Sequence, residues 1–84
     1  MDPMAVQAAV ETYNRYRSPE ATAVLLQARP ASLEVLFTGS LCHTCSCRDY
    51  LEDLVVFLEE QGVRATVESI APGRQGLVVT YLLL

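Results

Sequence analysis

The spacing of hydrophobic positions changes several times along the chain, and each change marks an element. Val6, Ala9, Val10 and Tyr13 recur at helical spacing, behind an Asp2-Pro3 pair that suits a helix N-cap and first turn. This predicts an amphipathic helix that fades near residues 14–17, with Tyr13 and Tyr16 covering the core edge. Residues 33–38 alternate instead. Leu33, Val35 and Phe37 point one way, Glu34 and Thr38 the other, and Gly39-Ser40 ends the strand. Leu36 interrupts the polar side, so that side is expected to be partly covered.

Helical spacing returns after residue 46. Tyr50, Leu51, Leu54, Val55 and Leu58 form one stripe, opposite Arg48, Glu52, Asp53, Glu59 and Glu60. Ser46 and Asp49 resemble a capping box with Asp in place of Glu, and Gly62 suits the position just past the C-terminus. Residues 63–69 alternate again, with Val63, Ala65 and Val67 inward and Arg64, Thr66 and Glu68 outward. Residues 70–76 read as a turn. Residues 77–84, LVVTYLLL, are apolar on both sides, as a central strand or an oligomer contact would be.

Residues 18–29 read two ways. Ser18-Pro19-Glu20 is a good helix start, and Ala21, Val24, Leu25 and Ala28 share a helical face. As a strand, residues 23–27 would pair with residues 33–37 across a turn at Arg29-Pro30-Ala31-Ser32, and a fourth strand covers two helices better than three. The strand reading is preferred. The order is then α-β-β-α-β-β, a circular permutation of the ferredoxin-like βαββαβ arrangement. The alternative is α-α-β-α-β-β. Both are α+β folds with helices on one face of a small mixed three- or four-stranded sheet. One domain over residues 1–84 is expected.

Composition narrows the function classes. Half of the residues are hydrophobic, enough for a small core, but a chain of 84 residues buries a modest fraction of its surface and gains from self-association. A homo-oligomer is therefore expected. The net charge is −4, lysine is absent, and the arginines are scattered at 15, 17, 29, 48, 64 and 74, against the basic stripe that a nucleic-acid surface needs. No apolar run approaches the roughly 20 residues that span a bilayer, and no basic segment precedes an apolar one. A cytoplasmic location and no membrane partner are the expectation. Nucleotide-binding glycine loops and a Ser-His-Asp set are absent; residues 73–76, Gly-Arg-Gln-Gly, are a turn.

All cysteine and histidine falls in Cys42-His43-Thr44-Cys45-Ser46-Cys47, between a strand and a helix start. A helix N-terminus presents free N–H groups and a positive dipole end, which stabilise a thiolate, and Arg48 adds positive charge. Cys42 and Cys45 have CxxC spacing. Cys47 shares the face of Leu51, Leu54 and Leu58 and is expected to point inward.

Three readings follow. A CxxC that follows a strand and opens a helix resembles the thioredoxin-like redox motif. That resemblance implies Cys42 as the attacking thiol and Cys45 as the resolving one. It covers only the turn and its flanks, and residues 70–76 leave no room for that family's second crossover helix. The second reading is soft-metal binding. Gly39, Cys42, Cys45, Gly62 and Val63 make a G-x-x-C-x-x-C, helix, Gly-Val, strand pattern similar to the heavy-metal-associated domains of copper carriers, which are ferredoxin-like. Ser40 stands where such domains usually carry methionine, Cys47 is extra, and half of the fold is permuted. Copper is the metal that this resemblance implies. For zinc, Cys42, His43, Cys45 and Cys47 are the candidate ligands, too cramped for one tetrahedral ion unless two copies share it. In the third reading the cysteines are structural, in a small non-catalytic interaction module. His43 is either a base or ligand beside the thiols or an exposed turn residue. The candidate site is thus the dithiol of Cys42 and Cys45, with redox exchange ranked above metal binding among the active readings.

Overall fold

The computed structural model of the chain describes residues 3–18, 20–39 and 47–84. Helix α1 (Pro3–Arg17) is followed by strands β1 (Thr22–Ala28) and β2 (Ser32–Thr38), then helix α2 (Cys47–Glu60) and strands β3 (Ala65–Pro72) and β4 (Leu77–Leu83). The four strands form one sheet in the order β1-β2-β4-β3. The order α-β-β-α-β-β is the one expected from a strand at residues 22–28. Two hairpins flank a split β-α-β crossover, because β4 lies between β2 and β3, which α2 connects. That is the permuted ferredoxin-like plan.

All three ladders are antiparallel, where a mixed sheet was expected. The reason lies in the inserted strand: β2 and β3 run parallel to each other, but each meets only β4. The strand tendency of residues 22–28 comes from pairing rather than local signals. Ala23 faces Phe37, Val24 faces Leu36 and Leu25 faces Val35. β3 also runs further than the alternation predicts. Residues 70–72, expected to turn, pair with Val79, Val78 and Leu77. A bulge at Glu68 restarts the register, and Pro72 is tolerated as the last residue of an edge strand.

The core lies between the helices and one face of the sheet. Val6, Ala9, Val10 and Tyr13 of α1 and Leu51, Leu54 and Leu58 of α2 meet Leu33, Val35 and Phe37 of β2 and Val79 and Tyr81 of β4. Tyr50 and Val55 are only partly buried. Tyr13 is sealed in this core, whereas Tyr16 is 70% exposed and stacks on Phe57 at 5.9 Å. The Tyr81 hydroxyl donates to the Leu51 carbonyl at 2.9 Å and ties β4 to α2; burial pushes its pKa up. α2 ends in a Schellman motif: Gly62 takes φ 83°, its N–H bonds the Glu59 carbonyl, and the Val63 N–H bonds that of Leu58. Among the described residues, no helix is long and apolar enough to cross a membrane.

β1 and β3 are the edges. The side-chain amide of Asn14, in the last turn of α1, donates to the Ala23 carbonyl at 2.9 Å and accepts from the Ala23 N–H at 2.7 Å. Asn14 therefore fills the place of a neighbouring strand on the free side of β1. Replacing it with alanine leaves both groups without these partners, and Asn14→Ala is expected to cost about 1–3 kcal/mol in urea unfolding. Asn14→Asp keeps the acceptor and loses the donor, and should fall between. A loss under about 0.5 kcal/mol for Asn14→Ala would mean that water replaces the amide at no cost.

Candidate functional site

β2 ends at Thr38, Gly39 follows with φ 113°, and α2 opens at Cys47. Cys42, His43, Cys45 and Ser46, which the sequence suggests as a cap, belong to the connection between them and lie outside the described residues. Cys47 is the first residue of α2, and the inward direction expected for its side chain also lies outside the description, as does the Arg48 side chain.

The described part of the site is the shell around the first turns of α2. Asp49 is exposed in the first turn, a placement that the helix dipole favours. Arg17, at the end of α1, pairs with Asp53, and its guanidinium carbon lies 5.5 Å from the centre of the Tyr50 ring. The Tyr50 hydroxyl donates to Glu20 at 3.0 Å. That hydrogen bond and the charge of Glu20 raise the Tyr50 pKa, so this residue remains a neutral phenol and is no base at neutral pH. Arg17, Asp49, Tyr50 and Asp53 line one shallow cleft.

The packing of α1 against α2 builds this cluster, and no periodicity in the sequence points to it. Asp53 was expected on a purely solvated helix face. It sits instead within reach of Arg17, because α1 delivers its last turn to the start of α2. Glu59 and Glu60 are exposed, as that expectation had them.

The sign of the shell matters for the chemistry. Among the described side chains, Glu20, Asp49 and Asp53 place three carboxylates against one guanidinium, that of Arg17. Negative surroundings raise the cost of a free thiolate and lower that of a bound cation. Among the described residues no group of three His, Cys, Asp or Glu side chains is arranged to hold a metal ion.

Comparison with known protein families, with curated proteins and with solved structures finds no match to this chain.

Proposed function

We infer that Cys42 and Cys45 form a thiolate site for a soft cation, Cu(I) or Zn(II), at the start of α2. The observation that carries this reading is the acidic shell at that end of the helix. It works against a free nucleophilic thiolate and in favour of thiolates whose charge a metal neutralises. The fold adds support: the pattern similar to copper carriers implies a ferredoxin-like plan, and a permuted form of that plan is what the chain adopts. Fold alone does not assign function. On binding, both thiols give up their protons, so affinity falls as pH drops. His43 and Cys47 are the candidate additional ligands.

The test is metal content and retention. Protein purified in reducing buffer without chelator is expected to hold close to stoichiometric copper or zinc, per chain or per pair of chains. Cys42→Ser with Cys45→Ser should abolish retention and leave the thermal melt of the metal-free protein unchanged. Metal-free protein that holds Cu(I) and Zn(II) no better than the double variant ends this reading.

Thiol–disulfide exchange at the same pair is the second reading, supported by the helix that begins two residues after Cys45. It requires a Cys42 thiol that alkylates faster than Cys47. Equal, slow labelling of all the cysteines in reduced protein counts against it.

A further inference from the structure

The helices cover one face of the sheet, and the other face has a pattern that only the strand register reveals. Val24 faces Leu36, Leu36 faces Val78, and Val78 faces Ala71. Direct cross-strand partners share a face. These residues therefore form an unbroken apolar row across all four strands, on the side away from the core. Val24 is 45% exposed, and Leu26, at the β1 bulge beside the row, is 47% exposed.

We propose that a second copy of this chain packs on this face, sheet against sheet, about a two-fold axis that runs along the strands between β2 and β4. The register supports this occupant and this axis. Such a rotation lays the apolar row of one copy on that of the other, with β1 over the partner's β3 and β2 over its β4. Leu36 then meets the partner's Val78, and Val24 meets the partner's Ala71, large side chains against small. The same rotation brings the Arg29 end of β1 over the bulge at Glu68 in the partner's β3. Arg29 is already held on this face, donating to Gln27 at 2.8 Å and 3.7 Å from Glu34. Each contact occurs twice, as a closed dimer requires.

Charge disfavours the other surfaces. The chain carries −4, and the exposed side of α2 holds Asp49, Glu52, Glu59 and Glu60, which would face one another in a dimer whose two-fold axis lies on α2. The β1 edge is occupied at Ala23 by Asn14, and the β3 edge carries Glu68, Pro72 and a bulge, which block strand pairing.

The area fits a reversible dimer. Four strands of about seven residues, spaced ~4.8 Å apart and rising ~3.3 Å per residue, cover roughly 440 Å² in plan. Counting the relief of the side chains, two copies would bury on the order of 1,000 Å², near the lower limit of specific interfaces.

Sedimentation equilibrium in reducing buffer tests this. A monomer–dimer equilibrium with a dissociation constant on the order of micromolar to tens of micromolar is expected. Val24→Glu should weaken it by at least about 10-fold. Val56→Glu, which adds the same charge on the exposed side of α2 where Val56 is 54% exposed, should leave it intact. Glu68→Arg should weaken it, and Arg29→Glu in the same chain should restore it. Thermal melts of each variant check that the monomer is folded. A folded wild-type protein that stays monomeric up to about 1 mM overturns the proposal, as does a dimer that Val56→Glu disrupts and Val24→Glu does not.

Discussion

Phe37→Ala is expected to remove a large share of the protein's stability, about 3–5 kcal/mol. A chain of this length has on the order of 4–13 kcal/mol in total, so the loss is roughly a quarter or more of the whole and, at the low end of that range, brings the variant to its unfolding midpoint. Phe37 is fully buried in β2. Its ring meets Tyr13 edge-on at 5.5 Å and lies 6.4 Å from Tyr81, while Tyr13 also meets Phe57 edge-on at 6.3 Å. One ring thus contacts α1 and β4 directly and α2 through Tyr13. Truncation leaves a cavity that these large neighbours cannot close without leaving their own positions, and the edge-to-face contact is lost with it. Phe37→Leu fills most of the space and should cost less than half as much. Urea unfolding followed by far-ultraviolet circular dichroism reads both. A loss below about 1.5 kcal/mol for Phe37→Ala would show that the core collapses around the gap and that the aromatic chain is not what joins the layers.

The helices and the central strands were legible because their periods are clean and their apolar faces wide. Strand β1 was legible only through a global argument. Ser18-Pro19-Glu20 favours a helix locally, and pairing with residues 33–38 outweighs it. Pro72 misled in the other direction: it reads as a turn residue, yet the last position of an edge strand has no ladder bond to lose. The bulges at Leu26 and Glu68 shift register by one residue without any marking glycine, so of the apolar row on the open face only the Leu36 and β4 parts were legible, and not its continuation through Val24 and Ala71. Nor could Asn14 at the β1 edge or the Arg17–Asp53 pair, since both depend on where one helix ends relative to a distant element. The cysteines are the opposite case. Their clustering is plain in the sequence, and the described structure adds only the elements on either side of them and the sign of the charge nearby.

Gly76→Ala tests how closely the β3–β4 turn rests on the strand that leads to the cysteines. A Cβ at Gly76 would stand 1.9 Å from the Phe37 carbonyl oxygen and 3.0 Å from its carbon, which is backbone and cannot rotate aside. The Gly76 carbonyl also accepts from the Gly73 N–H at 2.7 Å, which fixes the turn, and the next residue, Leu77, pairs with Phe37. Without a clash, alanine would stabilise by about 0.4–1 kcal/mol through the unfolded chain. With it, the start of β4 must lift from the end of β2, and a net loss of about 1–3 kcal/mol or more is expected. Gly73→Ala is the comparison. Its Cβ would lie 3.2 Å from a methyl group of Val78 and 3.4 Å from the Gly76 carbonyl oxygen, a tight and an ordinary contact rather than a backbone overlap, so its effect should be much smaller. Hydrogen exchange separates a local effect from a global one. Gly76→Ala should speed exchange at residues 36–38 and 77–79 more than in β1, loosening the strand end nearest Cys42 while the Asn14-held edge stays protected. If Gly76→Ala matches Gly73→Ala in stability, the turn is free to shift, and β2 delivers the chain to the cysteine-bearing connection without support from β4.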